Sequence, residues 1–350
     1  MSSDAGTDLP RDPRPPFVGR TWLYIRDHPG YAGDEPLPAG VPGWMSPDVL
    51  VQKPDGTLGC EAVADQQNKV HVTVNNGGGV DARDVYVEVF ISAPSTAFTP
   101  AATTRVADGY LTVPGYSRAT IVFPWTPTGA QAGHRCLAAR ACLLHPPDSY
   151  RDCTVFDVAG DRHVAQRNLH ILAAPSPAAE LSFPFQVGNP GPTAIATRVV
   201  AREVRTPERT AALRQALGTP FVQFAGAPLG GITLAPAEPA EPGTVRPAAA
   251  FARAAPSAER KEGGGGAAGA RRVVAFVAAV LRRLGLRHRA TVPAPPAALS
   301  LVVEPGKGFA AVLRVAGTPA ARPGEAHAIE VVQFDARERV IGGLTIVLRH

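Results

Sequence analysis

A two-residue alternation of apolar and polar side chains is the feature that most constrains the fold of this chain. In the segment 69–90, KVHVTVNNGGGVDARDVYVEVF, two runs have valine at every second position: Val70, Val72 and Val74, then Val85, Val87 and Val89. This is the period of a β-strand with one buried face, because successive strand side chains point to opposite sides. The turn NNGGG between the runs predicts a β-hairpin within a β-sandwich.

Length and composition extend this prediction to the whole chain. The 350 residues suggest two domains at about 150 residues each, and a hydrophobic content of 45% is enough to fill two cores. With 36 prolines and 35 glycines, the chain favours many short strands joined by turns. We predict an all-β protein of two immunoglobulin-like antiparallel β-sandwiches, with one short helix and a helical or flexible insertion in the second.

The spacing of strand-like segments and linkers sets the predicted boundaries. The predicted parts are a disordered tail at 1–16, a first sandwich at 17–173, a second sandwich at 174–234 and 296–350, and a Pro/Ala/Gly-rich insertion at 235–295. In the first sandwich, the segment 161–172 is expected to be the closing strand. In the second, the segments that begin at Phe309, His327 and Val340 are expected to form a meander.

One helix has clear end signals. Thr206 suits the N-cap, Pro207 and Glu208 suit the first turn, and Gly218 suits the position after the last turn. These residues predict a helix over Pro207–Leu217 that packs over one end of a sheet.

The net charge of +5 is concentrated in one segment. Residues 271–289 contain six arginines and no acid, and the rest of the chain has 29 basic and 30 acidic residues. The basic character is therefore local, and specific nucleic-acid binding by the whole surface is not expected.

The same segment holds a candidate partner-binding helix at 271–284. Its apolar stripe and adjoining arginines are the candidate contacts: Val274, Val277, Leu281 and Leu284, with Arg282 and Arg283. Docking of this stripe against a protein is the preferred interpretation. Binding to an anionic lipid or nucleic-acid surface and a simple linker are the alternatives, although basic residues spread along a polar face would suit a membrane surface better.

The chain shows no export signal near its start and no apolar run long enough to span a membrane. A cytoplasmic location is expected, with release by a non-classical route as the alternative.

Motifs for catalysis and cofactor binding do not meet their requirements. The glycines of 264–269 follow no strand and precede no ribose-binding acid, and no nucleophile elbow is present. Asp157, Asp161 and His163 share one strand face and are the weighed metal ligands, against the alternative of ordinary polar residues at loops and edges. We predict no catalytic residues, no metal site and no cofactor.

Four cysteines are too few and too scattered for a disulfide framework. Cys136 and Cys142 lie on one face of a predicted strand, too far apart to be bridged. Cys142 and Cys153 flank one loop and would meet only if oxidised, so buried free thiols are expected.

Aromatic residues supply both core and surface candidates. Trp125 follows Ile121 and Phe123 at strand spacing and is expected to fill the space between the sheets. Trp44 is a candidate partner contact, with coverage of a core end as the preferred alternative. Tyr116 and Tyr150 join Trp44 as contacts if the protein binds carbohydrate or another ligand.

Residues 44–172 resemble a known family. The order WMSPDVLVQ, NKVHVTVNNGGGVDARDVYVEVF, IVFPW and GHRCLAAR resembles the bacterial cell-adhesion-related CARDB type of immunoglobulin-like β-sandwich. The resemblance implies a non-catalytic module that serves binding, spacing or assembly.

These observations predict a non-catalytic structural or protein-interaction module, such as an adaptor or decoration of a phage-tail-like particle. A carbohydrate- or ligand-binding accessory module is the alternative. A protein partner is expected, its identity and the oligomeric state of the chain remain open, and a membrane surface is not the expected partner.

Overall fold

The computed structural model describes residues 17–38, 41–59, 61–129, 131, 133–174, 179–217, 223–237, 296–316 and 322–350. All of them belong to one compact unit, which comprises Met1–Ala252 and Pro296–His350. The predicted tail at 1–16, the candidate partner-binding helix and most of the predicted insertion lie outside the described residues.

The first half of the unit forms two facing sheets. Its elements are β1 (Leu23–Tyr24), β2 (Val49–Gln52), β3 (Leu58–Gly59), β4 (Glu61–Ala62), β5 (Asn68–Asn76), β6 (Ala82–Ser92), a 3-10 turn (Pro100–Ala102), β7 (Thr104–Val113), β8 (Ser117–Trp125), β9 (Gly133–His134), β10 (Cys136–Leu143), β11 (Asp148–Ser149) and β12 (Val164–Arg167). One sheet has the order β1-β5-β2-β3, with β8 on β5. The other has the order β11-β10-β6-β7, with β12 on β10, and β4 pairs with β9.

Valines from both sheets fill the core between them. Those of β5 and β6 at alternate positions are all 0% exposed, as the alternation predicted: Val70, Val72, Val74, Val85, Val87 and Val89. Trp125 and Leu137 belong to the same cluster, which confirms that Trp125 fills the space between the sheets.

The hairpin prediction for 69–90 is wrong. β5 pairs with β1, β2 and β8, whereas β6 pairs with β7 and β10, so the two strands lie in opposite sheets. The glycines between them carry the chain across the sandwich in an arch. A Cβ on Gly78 would lie 2.1 Å from the Arg20 carbonyl oxygen, so the close approach of these backbones requires glycine there. Alternation identified the strands but could not distinguish the arch from a hairpin.

The second half forms a six-stranded and a three-stranded sheet. Its elements are β13 (Leu169–Ala173), β14 (Glu180–Gly188), β15 (Ile195–Glu203), α1 (Pro207–Leu217), β16 (Gln223–Phe224), β17 (Gly231–Pro236), β18 (Ala297–Val303), β19 (Gly308–Ala316), β20 (Glu325–Asp335) and β21 (Val340–Arg349). The larger sheet has the order β13-β21-β20-β15-β18, with β16 on β20, and the smaller has the order β14-β19-β17. Leu313, Ile329, Leu344, Ile346 and Leu348 are buried between them. The all-β sandwich prediction is therefore confirmed.

The predicted meander is only partly present. β20 and β21 pair as an antiparallel hairpin, but β19 pairs with β14 and β17 in the other sheet. All three strands alternate because each has one face on the same core, and alternation does not reveal which sheet a strand joins.

The helix α1 spans Pro207–Leu217, as its end signals predicted. The Arg209 amide donates to the Thr206 hydroxyl at 3.4 Å, which fits the N-cap assignment. Leu213 and Ala216 pack with Ala328 and Val347, so the helix covers the outer face of the six-stranded sheet.

The segment 161–172 does not form one strand. β12 pairs with β10 of the first pair of sheets, and β13 runs parallel to β21 of the second pair. Asn168 lies between the two strands and is 0% exposed. The chain therefore passes directly from one pair of sheets to the other, and the division into two sandwich domains stays a prediction.

No helix in the described residues has the length and apolar character needed to cross a bilayer.

Candidate functional site

A buried ionic cluster lies at one end of the first pair of sheets. His163, on the loop before β12, contacts a carboxylate with each ring nitrogen: Nδ1 lies 2.9 Å from Asp161 and Nε2 lies 2.8 Å from Asp148. The Arg162 amide donates to Glu35 at 2.6 Å, and its guanidinium donates to Asp148 at 2.6 Å. Arg151 pairs with Glu35. We name this set the ionic cluster: Glu35, Asp148, Arg151, Asp161, Arg162 and His163.

The carboxylates of the cluster favour the protonated form of His163. Burial opposes protonation of His163, but the hydrogen bonds to Asp148 and Asp161 outweigh burial and raise its pKa. Burial also disfavours the charged carboxylates, yet their hydrogen bonds with His163 and with backbone amides lower the pKa of Asp148 and of Asp161. With His163 protonated, the cluster pairs three carboxylates with three cations, of which Arg151 is largely exposed.

Potential metal ligands occur within the cluster. Glu35, Asp161 and His163 each place a ligand atom within 4.8 Å of the others. Both nitrogens of His163 already contact carboxylates, and Glu35 pairs with Arg151 and Arg162, so these three groups are engaged in ion pairs. The sequence pointed to Asp157, Asp161 and His163, whereas the structure groups Asp161 and His163 with Glu35, which joins them only through tertiary structure.

A tightly bonded joint connects the two pairs of sheets. The Trp44 indole donates to the Thr345 hydroxyl at 3.0 Å, and the Asn168 amide donates to the carbonyls of Ser95 and Gly343. Arg167 donates to the Ala216 carbonyl at the end of α1. These hydrogen bonds are buried, so the joint stabilises the contact between the two pairs of sheets.

A second set of bonds completes the joint beside a small cleft. Thr96 donates to Gln333 at 2.5 Å, and Gln333 donates to the Gly188 carbonyl at 2.8 Å. The cleft next to them has a volume of about 210 Å³ and includes Phe98 and Lys307 in its lining. Pockets for small ligands usually have about 300–1,000 Å³, so this cleft is below that range.

The open surface of the first pair of sheets carries paired tyrosines. Tyr86 on β6 lies opposite Tyr110 on β7, with ring centroids 5.1 Å apart. Arg105 donates to the Tyr86 hydroxyl and to Glu88, each at 3.1 Å, and lies 3.7 Å from Asp108. We name this surface the tyrosine face, defined by Tyr86, Glu88, Arg105, Asp108 and Tyr110.

The tyrosine face is preorganised and accessible. Tyr110 is 66% exposed. Desolvation, with the nearby Asp108 and Glu88, raises the pKa of Tyr86, so its hydroxyl stays protonated near neutral pH. Tyrosine and arginine are the residue types enriched at protein interfaces, because they combine large contact area with hydrogen-bonding groups.

The face ends at a free strand edge. β7 pairs with β6 on one side, and no other described strand pairs with it; β8, which follows, likewise pairs with β5 alone among the described strands. The ten residues of β7 therefore present one row of backbone groups for hydrogen bonding by an added strand.

The residues singled out in the sequence have different positions in the structure. Trp44 is 3% exposed and covers the end of a core with Met45, so it offers no surface to a partner or a glycan. Tyr116 is 62% exposed, and Tyr150 packs under the Arg140 guanidinium at 4.4 Å. The predicted contacts Val274, Val277, Leu281, Arg282, Arg283 and Leu284 lie outside the described residues.

The two tyrosines of the face are not among the residues that the sequence singled out. Tyr86 lies between Val85 and Val87 and therefore points away from the core, and Tyr110 lies opposite Tyr86 in β7. An aromatic residue at an outward position of an alternating strand is the signal that would have identified Tyr86. The pairing of the two residues depends on the register between β6 and β7.

Among the described cysteines, Cys136 and Cys142 are buried, Cys153 is exposed, and Cys142 and Cys153 are free thiols. Cys136 interacts with the Ser95 backbone next to the joint. Cys60 lies outside the described residues.

No protein family model matches the chain, and no curated protein matches it. Among solved structures, the chain is similar to a CARDB domain from Pyrococcus furiosus crystallised in complex with di-metal ions. That similarity has 18% identity and a TM-score of 0.21, and covers 30% of this chain and 72% of the domain. A solution structure of the same domain is similar at 18% identity and a TM-score of 0.21, over 34% of this chain and 90% of the domain.

Two longer similarities are weaker in sequence. The collagen adhesin of S. aureus is 8% identical with a TM-score of 0.21, over 89% of this chain and 96% of the adhesin. The transglutaminase of red sea bream is 9% identical with a TM-score of 0.20, over 86% of this chain and 30% of the enzyme. Similarities at these TM-scores carry no argument about function.

Proposed function

We propose that this protein is a non-catalytic structural and protein-interaction module, and that it binds an extended segment of a partner protein along β7. The observation that carries the proposal is the free edge of β7 beside the tyrosine face. An added strand would bond to the unpaired backbone groups of this edge, and its side chains would contact Tyr110 and Arg105.

The contrast between buried and exposed polar groups supports a binding role for the tyrosine face. In the ionic cluster and the joint, polar side chains are used in bonds that hold the fold together. The tyrosine face, in contrast, combines an exposed aromatic ring with charged groups at the surface. We further propose that the partner belongs to a larger assembly, such as a phage-tail-like particle, in which this protein is an adaptor or decoration.

Substitution of Tyr110 tests the proposal. The affinity-tagged full-length chain would be expressed in the cells that encode it and recovered with its partners, as wild type, Tyr110→Lys and Leu144→Lys. A lysine on an edge strand opposes strand addition, so Tyr110→Lys is expected to reduce partner recovery at least about tenfold. Leu144 is 70% exposed on a loop, and its substitution is the matched control that should keep the partner.

Two outcomes would contradict the proposal: recovery of the wild-type chain as a lone monomer, or equal partner recovery by wild type and Tyr110→Lys. Cosedimentation of the partner complex with a high-mass particle tests the assembly role. A complex that remains in the supernatant would limit the function to binding of a soluble partner.

A further inference from the structure

The free edge of β7 is regular enough to pair with a copy of itself. Over residues 107–113 the side chains alternate between the two faces of the sheet, with the exposed Asp108, Tyr110 and Thr112 pointing outward. Opposite residues of an antiparallel strand pair lie on the same face. A second strand of this sequence, running in the opposite direction, would therefore set outward residues against outward residues and inward residues against inward residues.

The inward side of this edge is apolar and incompletely covered. Ala107 and Leu111 on β7, with Ala119 and Ile121 on β8, pack against the first core but are only partly buried. β7 and β8 are edge strands of the two facing sheets, and no described strand pairs with the outer side of either. An added strand with apolar inward residues would cover these side chains and remove apolar surface from water.

One register matches the residues of this edge to themselves. With a twofold axis at Tyr110, the two copies of this residue lie opposite each other. Asp108 then faces Thr112, whose hydroxyl is a donor for the carboxylate, and the small Gly109 faces Leu111. The tyrosine pair of each copy, with its centroids 5.1 Å apart, would meet the pair of the other copy. Aromatic residues in opposite positions stabilise the pairing of strands.

Neighbouring registers are less favourable. An axis at Asp108 would set two carboxylates directly opposite each other, and like charges in that position destabilise a strand pair. An axis at Gly109 would set Asp108 against Tyr110 and remove the contact between the tyrosines of the two copies. An axis at Leu111 would shorten the overlap to 109–113. The sequence of β7 therefore favours the register with the axis at Tyr110.

We propose that a second copy of this chain is the partner at β7, paired antiparallel about a twofold axis at Tyr110. This inference rests on the proposed function, because it names the partner of the same edge. The overlap of 107–113 would give about six to eight hydrogen bonds between the backbones and join the two five-stranded sheets into one. Both copies use the same edge, so the contact is closed and does not extend into a filament.

The test is the oligomeric state of the purified full-length chain, measured by sedimentation equilibrium. Wild type is expected to show a monomer–dimer equilibrium with a Kd between about 10⁻⁶ and 10⁻⁴ M, because one strand pair makes a small interface. Tyr110→Lys sets two lysines opposite each other at the axis and is expected to weaken the dimer at least about tenfold. Leu144→Lys adds the same charge at a loop position that is 70% exposed, and this control should dimerise as wild type does.

A mixing experiment tests the register. Tyr110→Lys and Tyr110→Glu are each expected to be monomeric alone, and their equimolar mixture is expected to form a heterodimer. Opposite charges meet in the mixture only if residue 110 of one copy lies opposite residue 110 of the other. Recovery of the dimer on mixing also shows that both variants are folded.

A wild-type chain that remains monomeric at about 100 μM would overturn self-pairing. If Tyr110→Lys still lost its partner in cells, the proposed function would then stand with a different protein at the edge. A Tyr110→Lys variant that dimerises as well as wild type would place any contact between copies elsewhere and would also overturn the inference. A charge-swapped mixture that stays monomeric would have the same consequence.

Discussion

His170 provides the sharpest test of the packing between the two pairs of sheets. Its side chain is 1% exposed on β13, and neither ring nitrogen has a hydrogen-bond partner among the described residues. The rings of Phe183 and His134 lie 5.3 and 5.7 Å away. Burial, with a smaller effect of His134, lowers the pKa of His170 from 6.5 to about 3. His170 is therefore neutral in the folded protein at every pH above about 4.

The lowered pKa makes the free energy of unfolding depend on pH. Because the unfolded chain binds a proton below pH 6.5 and the folded chain does not, stability from this group is complete above pH 6.5 and falls as the pH decreases towards 3. Each pH unit in this interval is worth about 1.4 kcal/mol, so the loss between pH 8 and pH 5 is about 2 kcal/mol.

Replacement of His170 by leucine, which has a similar volume, isolates this effect. The stability difference between His170→Leu and wild type is expected to shift by about 2 kcal/mol in favour of the variant between pH 8 and pH 5. Urea unfolding followed by tryptophan fluorescence at constant ionic strength measures it. His145→Gln, a change at an exposed loop position, is the control and should give the same difference at both pH values. If the His170→Leu difference is equal at pH 8 and pH 5, the ring is hydrated or charged and the reasoning fails.

Substitutions at three further positions test the ionic cluster, the arch and the joint. His163→Gln is expected to lower the free energy of unfolding by about 3 kcal/mol at pH 6, since it leaves buried carboxylates without their partner. Urea unfolding should show a smaller loss at pH 9, because the stability that a raised pKa contributes is complete below pH 6.5 and is lost as the pH rises through the folded-state pKa. Gly78→Ala is expected to lower the free energy of unfolding by about 2 kcal/mol or more, because the new Cβ would lie 2.1 Å from a carbonyl oxygen. A Cβ at Gly19 would have no atom within 4 Å, so Gly19→Ala should change thermal stability little. Equal effects of the two substitutions would refute the steric argument. Trp44→Ala is expected to lower the free energy of unfolding by about 3–5 kcal/mol because it leaves a cavity. Trp44→Phe is expected to lower it by about 1–2 kcal/mol because it removes the hydrogen bond to Thr345. Unchanged denaturation midpoints for both variants would mean that Trp44 does not stabilise the joint.

Local signals in the sequence were sufficient for individual elements. The bounds of α1 follow from Thr206, Pro207 and Glu208, whose effects act within one helical turn. The inward valines of β5 and β6 follow from alternation, since a strand with one buried face must place apolar residues at every second position. These properties depend on neighbours in sequence, and sequence reasoning reaches them.

The pairing of strands could not be predicted from the sequence in the same way. A valine row satisfies the core equally well from either sheet, so a hairpin and an arch between β5 and β6 have the same pattern. The same ambiguity led to the prediction that β19 forms a meander with β20 and β21, although β19 lies in the other sheet. The close backbone contacts at Gly78 decide for the arch, and they involve residues about sixty positions away in the chain.

The candidate sites show this limit most clearly. Asp161 and His163 were visible in the sequence together with Asp157, but Glu35 and Asp148 join Asp161 and His163 only when loops from separate regions meet. The amino-acid sequence by itself determined that the chain builds β-sandwiches and where α1 lies, because those properties follow from short-range periodicity and end signals. Only the tertiary structure decided which strands pair, that Trp44 is buried in the joint, and that β7 keeps a free edge beside Tyr110, because these depend on contacts between residues far apart in the chain.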